Sequence, residues 1–313
     1  MTKNIIIYLK LIRYQNLILL AVMQLVLHFG FLKYQHLELA LFDTQFLVLV
    51  FATVAIAAAG YVINDIFDQD TDLINKPTKV IVGTIITEKN AYNLYFVLNV
   101  SGVFAGFYVS NIINKPNFAA VFIVIAASLY FYATSLKQTL LAGNVLVAML
   151  SFLSVVIVGV FDLYPTITEN NRGFVAIYFK IILDYAIFAF LINFLREIVK
   201  DMQDLKGDDA AGMRTLPIVV GLFWTKIIVL VIGVFTVLVL FRYVNLYYFQ
   251  NQLYFATAFA MICIVAPLLL FLAKLWSSKT YLDFKILSKI LKIIILLSII
   301  SIIVVTQNII FHG

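Results

Sequence analysis

The sequence predicts an all-α polytopic membrane protein whose nine transmembrane helices form one bundle around a central cavity. Two observations predict this fold class. First, 64% of the 313 residues are hydrophobic and 12% are charged, whereas soluble domains contain about 45–50% and about 25%, respectively. Second, the apolar residues form nine stretches, each close to the roughly 20 residues that a helix needs to cross a bilayer. This composition excludes a water-soluble globular enzyme.

Short breaks with polar residues, proline or glycine separate the nine stretches. The stretches cover residues 14–33, 42–63, 91–113, 117–135, 140–161, 174–195, 216–240, 253–275 and 290–311. The first is too long for a signal peptide and lacks a small-residue cleavage pattern before Lys33, so it is expected to be retained. No linker or low-complexity tract interrupts the pattern. We therefore expect residues 1–313 to form a single transmembrane domain.

The lysine and arginine residues predict the orientation of the helices. Nine crossings place the two termini on opposite sides, and 17 of the 22 basic residues fall on the side of the N-terminus. These are Lys3, Lys10, Arg13, Lys76, Lys79, Lys89, Lys137, Arg196, Lys200, Lys206, Arg214, Lys226, Lys274, Lys279, Lys285, Lys289 and Lys292. Because positive charge concentrates in cytoplasmic loops, the N-terminus is expected to be inside, in a cytoplasmic (inner) membrane.

Nine of the 16 acidic residues occur in two short segments, NDIFDQDTD and REIVKDMQDLKGDD. The first acidic cluster comprises Asp65, Asp68, Asp70 and Asp72, and the second comprises Glu197, Asp201, Asp204, Asp208 and Asp209. Each follows an apolar stretch on the cytoplasmic side. A spacing of three and then four residues places Asp65, Asp68 and Asp72 within about 60° on a helix, and Asp201, Asp204 and Asp208 repeat it.

Carboxylates this close together repel one another and are costly to keep ionised beside hydrocarbon unless cations neutralise them. Hard oxygen ligands suit Mg²⁺, which shares its coordination shell with substrate phosphates. The two clusters therefore predict a site for a Mg²⁺-complexed diphosphate. The expected metal ligands are Asn64, Asp65, Asp68, Asp72, Asp201, Asp204 and Asp208; Asn64 either ligates the metal or orders the loop. The alternative is a pair of solvated helix ends with accidental spacing.

Basic residues flank both clusters. Lys76 and Lys79 follow the first, and Lys200, Lys206 and Arg214 surround the second. They are expected to bind phosphate oxygens that the metal leaves free, unless they only follow the charge bias of cytoplasmic loops. The lysines from Lys274 to Lys292 are interpreted as part of that bias and as contacts to anionic headgroups.

These residues resemble the motifs of the UbiA superfamily of intramembrane prenyltransferases. Asn64, Asp65, Asp68 and Asp72 match its NDxxDxxxD motif, and KDMQDLKGD resembles its second Asp-rich motif. Arg13 and Asn16 resemble an RPxN-type opening, Lys76-Pro77 stands where Arg-Pro is usual, and YFYATSLKQTLLAGN resembles the stretch between helices 4 and 5. Lys76 offers a point charge where Arg offers a bidentate fork.

The resemblance implies Mg²⁺-dependent transfer of a prenyl group from a prenyl diphosphate to a hydroxyl or aromatic acceptor, within the lipid bilayer and without nucleic acid. It implies catalytic roles for Asp65, Asp68, Asp204 and Asp208. The substrate-binding residues that it implies are Arg13, Asn16, Asn64, Lys76, Lys79, Tyr132, Lys137, Asn144, Lys200 and Arg214. Tyr61, Tyr130 and Tyr132 are candidates to stabilise an allylic cation, unless they are ordinary packing residues.

The segment REIVKDMQDLKGDDAAGMRTLPI is most similar to the family branch that prenylates geranylgeranylglyceryl phosphate. An acceptor with its own phosphate would use additional cations, such as Lys200 and Lys206. The alternatives are an aromatic prenyltransferase of quinone biosynthesis acting on 4-hydroxybenzoate or naphthoate, a cation transporter, and a scaffold that binds an isoprenoid lipid.

Two further features receive structural interpretations. His28, His36 and His312 are too scattered for a metal site and are expected at interfaces or in loops. Lys180 and Asp184 are expected to form an ion pair four residues apart on one helix.

Overall fold

The computed structural model describes residues 2–35 and 37–312, which form twelve helices. They are α1 (Thr2–Leu11), α2 (Tyr14–Gln35), α3 (Asp43–Phe67), α4 (Gln69–Asn75), α5 (Glu88–Ile112), α6 (Pro116–Thr134), α7 (Ala142–Thr166), α8 (Arg172–Ala210), α9 (Leu216–Val219), α10 (Gly221–Phe249), α11 (Tyr254–Ser277) and α12 (Tyr281–His312). Within the described residues, all but α1, α4 and α9 are long and apolar enough to span a membrane. The predicted all-α fold with nine spanning helices is confirmed, and the chain is an integral membrane protein.

The two acidic clusters differ in backbone conformation. The second lies entirely on α8, which continues to Ala210 instead of ending near 195, because the intervening residues are mostly good helix formers. The first is divided: α3 ends at Phe67, and Asp68 (φ −96°, ψ 5°) links it to α4. Thr71 donates to the Asp68 carbonyl at 3.0 Å, and such local side-chain bonds compete with the helix. The expected single helical stripe of Asp65, Asp68 and Asp72 is therefore wrong.

A short helix that the sequence interpretation missed precedes the first span. Helix α1 ends at Leu11, and Arg13 then adopts a left-handed conformation (φ 52°, ψ 51°) before α2 begins. This conformation is strained for a residue with a side chain. Leu11 is fully buried against Val62 and Ile63 of α3. This apolar contact holds α1 against the last turns of α3.

Helix α3 is the most buried of the nine spans that the structure describes. Its small residues allow neighbouring backbones to approach closely, as is common between transmembrane helices. At Gly102 of α5, a Cβ atom would lie 2.7 Å from the Ile56 side chain and 3.1 Å from the Ala52 carbonyl oxygen. The glycine therefore permits the contact that holds α5 against α3.

Both acidic clusters lie at one end of the bundle, which we term the acidic end. A buried polar pair occupies the opposite, far end. His28 Nδ1 lies 2.7 Å from Asp162 Oδ2, and both side chains are fully buried. His28 stacks on Phe46 at 3.9 Å between ring centroids, and its Nε2 is 3.6 Å from Asp43 Oδ1. His28 is thus a core residue that joins α2 to α7, and its expected interface or loop position is wrong.

We expect replacement of His28 by leucine to destabilise the protein by about 1–3 kcal/mol, because it leaves the buried Asp162 carboxyl without its hydrogen-bond partner. The double variant His28→Leu/Asp162→Leu should recover part of this loss, since it removes both polar groups. Denaturant titration of the purified protein in mixed micelles measures the change. Additive losses in the double variant would contradict the coupling.

The expectations about His36 and His312 and about the ion pair of Lys180 with Asp184 have different outcomes. His36 and the side chain of His312 lie outside the described residues. Lys180 does not pair with Asp184 among the described contacts; it donates to the Tyr247 hydroxyl of α10 at 2.9 Å and lies 5.2 Å from that ring's centroid. A lysine near lipid thus interacts with an aromatic hydroxyl on a neighbouring helix.

Candidate active site

Residues of both acidic clusters, all except the exposed Asp70 and Asp209, line one cavity of about 650 Å³ at the acidic end, which we term the outer cavity. Lys76 connects them, because its Nζ lies 2.6 Å from Asp204 Oδ2 and 3.7 Å from Asp72 Oδ1. The side chain of Asn75 forms two hydrogen bonds with the backbone of α8, which together we term the clamp. Its Nδ2 donates to the Asp204 carbonyl at 3.0 Å, and its Oδ1 accepts from the Gly207 amide at 2.9 Å. Helix α4 is thereby fixed against α8.

A positive or amide group from another element contacts each of three further carboxylates of this cavity. Arg13 donates to Asp65 Oδ1 at 2.7 Å. Lys137, on the 3-10 turn Leu136–Gln138, donates to Asp68. Asn144 of α7 donates to Asp201 Oδ2 at 2.7 Å. The repulsion between carboxylates at the site is therefore partly offset by the chain itself.

The charge states of Asp72 and Lys76 reflect their surroundings. Burial raises the pKa of Asp72 above its ordinary value, although the adjacent Lys76 ammonium opposes the shift. For Lys76, burial lowers the pKa, but the charge of Asp204 and the hydrogen bond to it raise the pKa more, so that the net pKa is above its ordinary value. Lys76 thus remains a cation beside the carboxylates at neutral pH.

The residues of this cavity fit a divalent ion that also binds a substrate phosphate. Among the described residues, no three acidic, histidine or cysteine side chains converge into a complete metal-binding group. Mg²⁺, however, commonly takes only one or two carboxylates and completes its shell with water and phosphate oxygens. The buried Asn64 Oδ1 has no hydrogen-bond partner among the residues that the structure describes. This oxygen is therefore available as a metal ligand beside Asp68, as a bound Mg²⁺ would require.

A second cavity of about 320 Å³, the inner cavity, extends into the apolar part of the bundle. Six residues line both cavities, namely Arg13, Asn64, Tyr132, Arg196, Glu197 and Lys200. The inner cavity then continues between aliphatic and aromatic side chains as deep as Leu27, Phe122 and Ile302. A molecule with a charged head and a long apolar tail could therefore occupy both cavities at once.

Most of the sequence-predicted site residues lie on the outer cavity. These are Arg13, Asn64, Asp65, Asp68, Asp72, Lys76, Lys79, Tyr132, Lys137, Lys200, Asp201, Asp204 and Asp208. Asn144 lies behind Asp201, to which it donates. Asn16 lines only the inner cavity.

The remaining candidates have other environments. Arg214 is exposed and lines neither cavity, and its backbone amide donates to the Gln138 carbonyl at 2.9 Å. Tyr130 is half exposed and packs against Phe67. The ring of Tyr61 lies under the Arg13 guanidinium, 5.0 Å from its carbon to the ring centroid. Direct contact of the Arg214 or Tyr130 side chain with a ligand in these cavities is therefore not supported.

Four residues of the two cavities were missed or misassigned from the sequence: Asn75, Arg196, Glu197 and Lys292. Lys292 was interpreted as a headgroup contact, but it lines the inner cavity and donates to Asn16 Oδ1 at 2.7 Å. Its position inside a long apolar stretch was the available signal, since an ionisable group at membrane depth is a candidate functional residue. Asn75 carried no comparable signal, because its role depends on the approach of α8.

Comparisons with known proteins agree with this arrangement. The model of the UbiA prenyltransferase family matches residues 16–296. A digeranylgeranylglyceryl phosphate synthase from Methanobrevibacter smithii is 34% identical over 57% of the chain and 59% of its own length. One from Thermococcus kodakarensis is 33% identical over 56% of each, and one from Korarchaeum cryptofilum is 30% identical over 67% and 70%. The match thus spans less than two thirds of the first two relatives.

Two solved structures share the fold. One is the subject of a study of digeranylgeranylglyceryl phosphate synthase in membranes; it has a TM-score of 0.61 and 23% identity, and the match covers 96% of this chain and 99% of that one. The other is an apo UbiA homolog from Aeropyrum pernix, with a TM-score of 0.64, 14% identity, and coverage of 95% and 98%. With the family match over most of its length, the chain belongs to the UbiA prenyltransferase family.

Proposed function

We propose that the protein transfers a geranylgeranyl group from geranylgeranyl diphosphate to geranylgeranylglyceryl phosphate, in a reaction that requires Mg²⁺. The observation that carries the proposal is the pairing of two acidic clusters on one cavity that shares its lining with a deep apolar cavity. The outer cavity suits a metal-complexed diphosphate, and the inner cavity suits an isoprenoid tail. The names of the archaeal relatives support the choice of acceptor.

The outer cavity binds the diphosphate in this proposal. Asn64, Asp65, Asp68 and Asp72 from one side and Asp201, Asp204 and Asp208 from the other would hold Mg²⁺, which supplies positive charge to the leaving diphosphate. Lys76 and Lys137 line the outer cavity, and each ammonium has three N–H donors, so that one can hold its carboxylate while another binds a phosphate oxygen. Lys79 lies at the rim and adds to the positive field.

Cleavage of the allylic C–O bond leaves the electron pair on the diphosphate and an allylic cation in the chain of the donor. The acceptor hydroxyl forms the new C–O bond to that cation and releases its proton. Among the described residues, Glu197 is the only carboxylate that lines the inner cavity, and we assign the acceptance of this proton to it. The apolar lining keeps water from the cation until the acceptor reacts.

We expect chelation with EDTA to reduce prenyl transfer by the purified protein to background and added Mg²⁺ to restore it, because the two acidic clusters need a divalent cation to hold the diphosphate. The measurement uses geranylgeranyl diphosphate, with geranylgeranylglyceryl phosphate and 4-hydroxybenzoate in competition and product identification by mass. Transfer to 4-hydroxybenzoate alone would support the quinone-pathway alternative. Ion flux through proteoliposomes without transfer would support the transporter alternative, and binding without turnover would support the scaffold.

The contact between Gly207 and Asn75 gives a second prediction. A Cβ atom at Gly207 would lie 2.3 Å from Asn75 Nδ2. We expect Gly207→Ala to displace Asn75 with Lys76 and to lower kcat about 10–100-fold, as is usual when the groups that orient site residues are lost. Gly173→Ala on the same helix is the control, since nothing lies within 4 Å of that position. Equal kcat values for both variants and the wild type would contradict the clamp.

We also propose that the N-terminus and the acidic end face the cytoplasm in the inner membrane. The bias of 17 of the 22 basic residues toward that side supports this orientation. Residues 1–313 would then act as a single transmembrane domain whose diphosphate site opens to the cytoplasmic pool of substrate. Labelling of an introduced cysteine at exposed Asp70 in intact and broken cells tests the orientation.

A further inference from the structure

The inner cavity has a cationic wall that the diphosphate site does not explain. Arg196 and Lys200 of α8 and Lys292 of α12 line it together with the amides Asn16 and Asn193. Lys292, Asn16 and Asn193 line the inner cavity but not the outer one. Arg196 and Lys200 line both cavities, and Lys292 extends the positive lining to the apolar side of them. This extension indicates a second anionic group, distinct from the diphosphate.

Lys292 provides the clearest observation. It lies about three turns from the start of α12 at Tyr281, after Lys285 and Lys289 and near the beginning of the apolar stretch of residues 290–311. Its ammonium donates to Asn16 Oδ1 at 2.7 Å, which is a neutral acceptor, and no carboxylate of the described residues lies within ion-pair distance. A partly buried ammonium that lines an apolar cavity without a counter-ion is unfavourable on its own. A ligand anion in the inner cavity would supply the missing charge.

Arg196 offers a second donor to the same space. Its Nε is buried and has no hydrogen-bond partner in the described part of the chain, and its Nη1 lies 3.6 Å from Glu197 Oε1, beyond a direct hydrogen bond. A buried guanidinium donor without an acceptor is unfavourable. Its planar set of N–H groups suits the oxygens of a phosphate.

The charges of this wall favour a phosphate over a carboxylate. Arg13 also lines the inner cavity but is paired with Asp65. This leaves three cations, Arg196, Lys200 and Lys292, against the single carboxylate of Glu197, and therefore two positive charges in excess. A phosphate monoester carries a charge of about −1.5 to −2 at neutral pH. A carboxylate would neutralise only one of the two charges.

We propose that Lys292 and Arg196, with Lys200 and Asn16, form a subsite for the phosphate monoester of the prenyl acceptor. This inference rests on the proposed function, because it concerns the second substrate of the same reaction. The subsite holds the acceptor phosphate in the inner cavity, beside α8 and α12, while the diphosphate occupies the outer cavity. The acceptor hydroxyl then lies between the two anions, near Glu197. Lys292 is a specificity-determining residue and takes no part in bond breaking.

The test measures binding without turnover. Dissociation constants of geranylgeranylglyceryl phosphate and of the same lipid lacking its phosphate are measured with the detergent-solubilised protein in the absence of prenyl diphosphate. We expect the wild type to prefer the phosphorylated lipid and Lys292→Met to reduce this preference about tenfold. Lys292→Arg, which keeps the charge, should retain most of it. Lys289→Met, a change at an exposed position on the same helix, should leave it unchanged.

Three results would overturn the proposal. They are a wild type without preference for the phosphorylated lipid, a Lys292→Met variant whose preference falls less than threefold, and competition by dioleoyl phosphatidic acid as strong as that by the prenyl lipid. The last would assign the subsite to a bulk membrane lipid. Thermal unfolding of Lys292→Met checks that the fold is retained, and Lys292→Arg provides the readout should the methionine variant not fold. Failure of the proposed function is seen separately, as wild-type protein that transfers no prenyl group to either lipid.

Discussion

Replacement of Asp68 by asparagine is expected to lower kcat for prenyl transfer by at least about 10³-fold while leaving the fold intact. Asp68 lies on the outer cavity between Asn64 and Lys137, and it is a predicted ligand of the metal that carries the diphosphate. Loss of an anionic ligand weakens the positive charge available to the leaving group, where several kcal/mol of transition-state stabilisation arise. Steady-state kinetics with saturating Mg²⁺ measure the change.

Asparagine is a suitable replacement because the surrounding hydrogen bonds can be rearranged. Lys137 can still donate to the amide oxygen of the new side chain. The new amide nitrogen would meet Asn64 Nδ2, but Asn64 Oδ1 has no partner, so a flip of the Asn64 amide provides the missing acceptor. The expected fall in kcat therefore reflects the lost negative charge at the site and not a change in packing.

Asp70→Asn is the matched control, since Asp70 belongs to the same sequence segment but is exposed and lines neither cavity. It should retain wild-type kcat. Asp204→Asn should resemble Asp68→Asn, with exposed Asp209→Asn as its control. Because the two clusters act on one diphosphate, the double variant Asp68→Asn/Asp204→Asn should lose little more than the worse single variant. Strictly additive losses, or an Asp68→Asn variant within tenfold of the wild type, would refute the shared site.

The sequence was sufficient to predict the spans because lipid imposes a simple rule on them. Every backbone group in the hydrocarbon must be hydrogen-bonded within its own segment, so each long apolar stretch becomes a helix. The segregation of charge then places residues 64–72 and 201–208 at the same end, whatever the packing of the helices. These constraints place the two acidic clusters at one end of the bundle, and their meeting on one cavity requires in addition the packing of α4 against α8.

Contacts that depend on tertiary approach could not be predicted in the same way. The linkage of Lys76 to Asp204 requires α4 to lie against α8, which Gly207 permits by lacking a side chain. The break of the helix at Asp68 depends on local side-chain bonds that compete with the helical pattern. Lys292 shows the converse problem, because a rule about surface charge was applied to a residue that the helix directs into the bundle.

Arg13 is expected to be the second most sensitive position. Its guanidinium donates to Asp65 Oδ1 at 2.7 Å and lies over the ring of Tyr61, and it lines both cavities. Burial lowers its pKa, but the charge of Asp65 and the hydrogen bond to it, with Tyr61 and Asp68, together raise the pKa above its ordinary value, so the group is always cationic. We expect Arg13→Lys to lower kcat about 10²-fold, as for the loss of one preorganised donor at a developing negative charge.

The physical reason is geometric, because lysine keeps the charge. An ammonium cannot stack on Tyr61 as a plane while donating to Asp65 and to a phosphate in fixed directions. The backbone at Arg13 is left-handed in a residue that is not glycine, and such strain persists where the surrounding contacts determine the conformation. Arg13→Gly should therefore relieve the backbone strain and still have a low kcat, since the contribution of Arg13 to catalysis comes from its guanidinium.

Arg172→Lys provides the control for the same chemical change at an exposed position outside both cavities. Its kcat should equal that of the wild type, and the unfolding temperatures of both variants should remain close. Full activity of Arg13→Lys would show that a point charge is sufficient at this position. The left-handed turn before α2 would then serve only to begin the helix, and the directional contacts to the two ligands would depend on the other shared residues, Asn64, Tyr132, Arg196, Glu197 and Lys200.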